Sequence, residues 1–206
     1  MGRTISEAKT GAGPEPFWSA FRADFDRYEV YYDHLSLAGR MRLFLITQGL
    51  WALLAYRFAR WVRTHRLPIF GRLLWAFYRA VESRIAAITG ITLDPGARIG
   101  PGFYIAHFGS IYVGPGVIVG RNCSISQMSI LGPSGPESQP GAPVLGERVY
   151  VAAAAKVLGG IRIGNGAVIG ACAVALADVP ENGVAVGNPA TVVNLNGSAD
   201  FIRLPS

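Results

Sequence analysis

The chain has 206 residues, half of them hydrophobic, with 26 glycines and a formal charge of +6. That length gives one domain of ordinary size, or a small one with an appendage, and enough apolar side chains to pack a core. Two cysteines without metal-ligand spacing argue against a disulfide framework or a zinc knuckle and make the reducing cytoplasm the default compartment.

Residues 1–40 read as a lead-in. The opening MGRTISEAKTGAGPEPF is polar, carries Glu7, Lys9 and Glu15, and does not resemble a secretory signal; with Ser6 it meets a short myristoylation pattern only formally. Residues 1–16 are expected to be loose, and the aromatic, charged stretch 17–40 to be a short helical lead-in.

Residues 41–90 form a helical segment, with helices expected at about 41–66 and 68–88, split by Pro68 and ended by Gly90. Leu50, Leu53, Leu54, Arg57, Phe58 and Trp61 fall on one side at helical spacing. Arg57, Arg60, Arg63, Arg66, Arg72, Arg79 and Arg84 supply a basic surface. The uncharged run from Leu43 to Tyr56 has 14 residues, short of the roughly 20 that span a bilayer. Packing on the main domain or on a neighbouring subunit is the plain expectation, and peripheral contact with anionic lipid at the inner face of a membrane is the other. The arginines sit on an apolar helical pair without a nucleic-acid module, so no nucleic-acid partner is expected.

From residue 91 to 195 a short period takes over. Aliphatic residues fall at Leu93, Ile99 and Ile105, then at Val113, Val119, Ile125 and Leu131, then at Leu145, Val151, Val157, Ile163 and Ile169. Within each group the step is six, glycine often follows, and the fifth position is small, as at Ala97, Cys123, Ser129, Ala155, Ala167 and Ala173. Three such units close a triangular coil of 18 residues, and stacked coils bury one another's aliphatics as a parallel β-solenoid. The period breaks twice: Ile105 to Val113 is eight residues, with His107 in the excess, and Leu131 to Leu145 is fourteen, which extrudes the loop GPSGPESQPGAP. Loops on a rigid solenoid are the expected seat of chemistry.

Twelve units in the register [LIV]-G-x-x-[small]-x resemble the hexapeptide-repeat acyltransferases. The segments GLWALLAYRFARWV, LDPGARIGPGFYIAHFGSIYVGPGVIVGRNCSISQMSILG, AAAAKVLGGIRIGNGAVIGACAVALADVP and VGNPATVV resemble the serine O-acetyltransferases and their relatives in polysaccharide gene clusters. The resemblance implies a mainly β fold, a left-handed parallel β-helix behind the N-terminal α-helical segment; handedness comes from the resemblance alone. It also implies acetyl-CoA as co-substrate, no metal, and a homotrimer or a dimer of trimers with grooves between subunits.

Acetyl transfer from a thioester to a hydroxyl needs a base for the hydroxyl proton and donors for the oxyanion. His107, in AHFG, aligns with the family's catalytic histidine, and neutral imidazole suits the task. His34 and His65, in the helical part, read as surface or packing residues. The family pattern has an aspartate near the start of the first coil that orients the base, an acid before the catalytic histidine, and Arg-His before the proline that ends the loop. Here those positions are Thr92, Ala106, Gly141 and Ala142. Thr92 or Asp94 is left to orient His107, and Asp94 reads equally as a turn residue before Pro95. L-serine stays the acceptor that the resemblance implies by default, and these losses set beside it a sugar hydroxyl of a polysaccharide precursor. The resemblance lays the pantetheine arm along small residues at Gly132, Ala153 and Ala171, positions where coil packing also needs small side chains.

Other classes fit less well. A zinc hydratase on this fold needs three histidines, and the repeat region has one. GPGVIVG and GIRIGNG are repeat turns without a surrounding strand-helix-strand unit. Cys123 and Cys172 read as small buried residues, and Asn188 and Pro189 as part of the segment that closes the last coil. A scaffold that keeps the fold without catalysis is the remaining alternative. Residues 196–206 form a tail, and its FIRLPS ending lacks the C-terminal isoleucine with which serine acetyltransferases dock into a sulfhydrylase, so that complex is not expected.

Overall fold

A computed structural model describes residues 16–32, 35–65, 70–133 and 140–205. Among these residues four helices, α1 Phe17–Glu29, α2 Leu37–Ile46, α3 Gln48–Thr64 and α4 Phe70–Thr89, precede fifteen short strands. His34, Arg66, Pro68 and the middle of the extruded loop lie outside the described residues.

The helix expected at 41–66 is two. α2 begins at Leu37, where the Ser36 hydroxyl accepts from the Gly39 N–H, and the chain breaks at Thr47, which is extended with φ −104° and ψ 96°. The Trp51 indole N–H donates to the Phe44 carbonyl across the break at 2.7 Å. The expected apolar stripe of α3 is also displaced: Leu50, Leu53, Tyr56 and Arg57 are buried, while Leu54, Phe58 and Trp61 face a groove open to solvent. Arg57, expected at the basic surface, is buried because its partner, Asp24 of α1, lies 33 positions earlier in the chain. α4 ends at Gly90, whose φ of 68° provides a left-handed stop.

The strands form three parallel sheets. Sheet A joins β1 (Ile91–Leu93), β4 (Ile111–Val113), β7 (Ile130–Gly132), β10 (Lys156–Leu158) and β13 (Val174–Ala175). Sheet B joins β2 (Arg98–Ile99), β5 (Ile118–Val119), β8 (Val144–Leu145) and β11 (Arg162–Ile163), and a bridge from Ile163 to Val179 extends it. Sheet C joins β3 (Tyr104–Ile105), β6 (Ser124–Ile125), β9 (Tyr150–Val151), β12 (Val168–Ile169) and β14 (Val184–Gly187), with β15 (Ala190–Asn194) closing it antiparallel. One strand from each sheet makes a coil. The repeat aliphatics from Leu93 to Ile169 are buried, and so are the small residues Ala97, Cys123, Ser129, Ala155, Ala167 and Ala173 between them. Cys172, expected inside, is exposed, because it occupies a corner position with φ 60°.

A solenoid's first coil has no earlier coil to pair its backbone, which would leave a reactive edge. Here side chains supply the missing partners. The Tyr28 hydroxyl donates to the Ile105 carbonyl and accepts from the Ile105 N–H, both at 3.1 Å. Tyr56 does the same between the Ala97 carbonyl, 3.0 Å, and the Ile99 N–H, 2.9 Å. Arg57 donates to the carbonyls of Ile99 and Gly100, Asp24 accepts from the Phe103 N–H at 2.9 Å, and Arg27 donates to the Gly102 carbonyl at 2.9 Å. Asp24 and Arg57 hold each other in a two-pronged pair at 2.9 and 3.0 Å. Burial pushes the Asp24 carboxyl up while the Arg57 guanidinium pulls it back. The helical segment is thus the end cap of the solenoid as well as a neighbour of it. Beyond β15 the tail runs back along sheet C: Ser198 donates to the Arg148 carbonyl, Phe201 stacks on Tyr150, and Arg203 lies over Tyr31.

Candidate active site

The strand register locates both breaks in the period. Tyr104 pairs with Ser124, twenty residues on, where eighteen would make a plain coil. Tyr112 pairs with Ile130, the plain eighteen. Ile130 pairs with Lys156, twenty-six on, which accommodates the extruded loop. The first excess lies at the corner between sheets C and A, and the loop leaves the corner between sheets A and B.

The ladder narrows the first excess to two residues. The Ala106 N–H still donates to the Ile125 carbonyl at 2.9 Å, and the Gly109 carbonyl already accepts from the Met128 N–H at 2.8 Å. His107 and Phe108, between them, are looped out, and both are exposed. Backbone geometry holds the bulge: Gly109 has φ 109° and Ser110 φ 51°, and a Cβ on Gly90 would come within 2.6 Å of the Ser110 nitrogen. Gly90 therefore both ends α4 and seats the bulge. His107 makes no hydrogen bond among the described residues, which leaves its ring nitrogens available to a ligand.

Below the bulge the same corner repeats. The Ala154 N–H donates to the Gln127 carbonyl and the Cys172 N–H to the Ala153 carbonyl, both at 2.9 Å, so Gly109, Gln127, Ala153 and Ala171 form one column down the solenoid edge. Two of the residues expected along the pantetheine arm, Ala153 and Ala171, stand in this column beneath His107. The third, Gly132, does not. It closes β7 at the far corner, where the loop begins, with the Tyr112 ring packed against it.

Thr92 and Asp94 also separate. Thr92 lies on the outer face of β1, two residues past Gly90 and paired with Tyr112. Asp94 lies past the end of β1 at the far corner, where one carboxylate oxygen accepts from the Gly96 N–H at 2.6 Å in a turn. Neither is hydrogen-bonded to His107. Ala106 and Ala142 are half-buried, and Gly141 has φ 123°. Two groups at this edge were not singled out from the sequence. The side-chain carbonyl of Gln127 is buried without a partner among the described residues, directly below the bulge. Lys156 is the one charged residue in the outer row Thr92, Tyr112, Ile130, Lys156 and Val174, and its ammonium reaches the Ala154 carbonyl at the column. A lone Gln or Lys carries no sequence signal; the coil register makes them visible.

No family model matches the chain. Over 182 residues it is 35% identical to a serine acetyltransferase of Bacillus licheniformis, an alignment that covers 88% of this chain and 80% of that protein. It belongs to the serine acetyltransferase family. A serine acetyltransferase of Synechococcus elongatus is 39% identical over 157 residues, 76% of this chain and 62% of that protein. The chain thus spans less than two thirds of that relative's own length. Among solved structures, the soybean serine acetyltransferase apoenzyme superposes with a TM-score of 0.70 at 33% identity, covering 86% of this chain and 69% of that one. As a member of the serine acetyltransferase family, the protein folds as a left-handed β-helix behind an N-terminal helical segment.

Proposed function

We propose that the protein transfers an acetyl group from acetyl-CoA to an acceptor hydroxyl, with His107 as general base. The observation that carries this is the looped-out His107, without a hydrogen bond among the described residues, at the head of a corner column that continues into Ala153 and Ala171. The acceptor oxygen attacks the thioester carbonyl carbon while its proton passes to the unprotonated ring nitrogen of His107. The tetrahedral intermediate collapses with cleavage of the C–S bond, and the imidazolium returns the proton to the departing CoA thiolate. The products are an acetyl ester and a free thiol.

In this reading small side chains at Ala153 and Ala171 let the narrow pantetheine arm approach the backbone, and Lys156 offers positive charge beside it. Thr92 is the orienting candidate, since Asp94 is at the far corner and committed to its turn. A homotrimer supports the site physically. Within one chain the bulge and the extruded loop, with Gly132 at its root, lie at opposite edges of sheet A, so a groove between them requires a neighbouring copy.

L-serine is the acceptor the relatives' names suggest. A second reading, a sugar hydroxyl of a polysaccharide precursor, is favoured by one observation: Thr92, Ala106, Gly141 and Ala142 offer no charge to hold an ammonium and a carboxylate.

The test is thiol release from acetyl-CoA with L-serine and with a panel of nucleotide sugars and oligosaccharides. Turnover with either class that is lost in His107→Ala supports the proposal and names the acceptor. No turnover with any acceptor leaves a non-catalytic scaffold.

A further inference from the structure

α4 is apolar on two sides. Leu74, Trp75, Tyr78, Val81 and Ile85 face inward, yet Leu73, Phe77 and Ile88 are 69%, 61% and 71% exposed, with Ala76, Ala80 and Ala87 exposed between them. α2 does the same with Leu37, Met41 and Leu45, one turn apart on its outer face, and Ile46 beside them. A helix apolar all round is stable only when its second side is also covered. Trp18, Leu45 and Phe77, one exposed apolar residue from each of α1, α2 and α4, line a common open groove of about 2100 Å³ between the helices and sheet B.

Charge selects what covers them. From residue 37 to 89 the sequence has nine arginines and a single acidic residue, Glu82; from 91 to 195 it has five basic and five acidic residues. Arg42, Arg72 and Arg84 are exposed beside the apolar positions and make no ion pair among the described residues. A second copy of this face would bring like charge against like charge. An anionic surface with an apolar interior satisfies both features at once.

We infer that the outer faces of α2 and α4 dock on an anionic lipid bilayer, the helices lying in its interface. No helix among the described residues is long and apolar enough to cross one. The apolar side chains enter the headgroup boundary, and the arginines meet lipid phosphates. This inference stands independently of the acetyl-transfer reading.

The experiment is co-sedimentation of the full chain with sucrose-loaded vesicles of phosphatidylcholine alone or with one quarter phosphatidylglycerol. Binding to the anionic vesicles is expected, at least tenfold weaker in 0.5 M salt and at least tenfold weaker on neutral vesicles. Leu73→Ser/Phe77→Ser and Arg72→Glu/Arg84→Glu should each weaken it at least tenfold, with melting temperature and thiol release unchanged. Absence of binding, equal binding to neutral vesicles, or binding unaffected by both pairs of substitutions overturns the inference. So does a fall in assembly size for Leu73→Ser/Phe77→Ser without any vesicle binding by the wild type, which would assign the face to a second copy.

Discussion

Gly109 and Met128 resume the coil-to-coil ladder, carbonyl to N–H at 2.8 Å, one residue past Phe108. Because the ladder is intact up to Ala106, nothing in the solenoid depends on the side chain of His107. Replacing His107 with Ala should therefore cost activity and not stability. A fall in kcat of about 10²–10⁴-fold is expected for loss of a general base, with unfolding free energy within about 0.5 kcal/mol of wild type, as for an exposed side chain. Steady-state kinetics beside denaturant unfolding checks both; a matching loss of stability would show that His107 supports the fold.

Gly90 gives the opposite pattern. Its left-handed conformation costs a side-chain-bearing residue roughly 1–2 kcal/mol, and a Cβ there meets the Ser110 nitrogen. Gly90→Ala should lower stability and also displace the bulge, so the melting temperature and kcat fall together. Unchanged kinetics in a destabilised variant would show that the seat of the bulge does not position His107.

Asp24 and Arg57 form a buried pair whose charges also satisfy the first coil. Asp24→Ala removes the buried guanidinium's counter-charge and the acceptor of the Phe103 N–H, and about 3–5 kcal/mol of destabilisation is expected. Chemical denaturation of the variant measures this. A loss below about 1 kcal/mol would mean the cap does not govern solenoid stability.

The tyrosines make the protein sensitive to alkali. Burial pushes the Tyr28 hydroxyl well above its usual range, and burial together with Tyr31 pushes Tyr104 up to about 12. A tyrosine that stays neutral in the fold while the unfolded chain ionises contributes stability in full below the ordinary value near 10, and loses it as pH rises toward the folded value. Melting temperature should thus fall from pH 10 upward, and less steeply in Tyr28→Phe. An identical alkaline slope in the two proteins would remove Tyr28 from the explanation.

The cysteines should differ in labelling. Burial pushes the Cys123 thiol up to about 12, while Cys172 is exposed at its corner. Native protein should react at one thiol per chain at pH 8, lost in Cys172→Ser, and denatured protein at two.

The six-residue step placed the buried aliphatics from Leu93 to Ile169 correctly, because a coil that must stack inside itself repeats its inward positions rigidly. The eight-residue step between Ile105 and Val113 located the excess around His107. The break at Thr47 was not legible, since the glycine beside it, Gly49, lies inside the first turn of α3, where close approach to Tyr28 and Ile105 requires it. Arg57 was misread as surface because its partner comes from a different helix, and helical spacing reports the face of one helix only. The cap was invisible for a deeper reason: Tyr28, Tyr56 and Arg27 serve backbone groups, which every residue has and no sequence pattern marks. Thr92 and Asp94 stood equal on the page; the fold puts them at different distances along β1 from the bulge.

Both ends of the solenoid are closed by parts that are not coils, the side chains of α1 and α3 at one end and antiparallel β15 at the other. Between them the coils stack at the plain eighteen-residue step, Tyr112 on Ile130 and Tyr150 on Val168, with Arg27 reaching down to Asn122 and Ser124 and Phe201 stacking on Tyr150. A coil gained or lost between those contacts keeps the same inward and outward positions, because the repeat is its own template. Such an event would lengthen or shorten the edge below His107 by one rung, so the length of that edge is a count of repeats, while the bulge that carries His107 stays as it is.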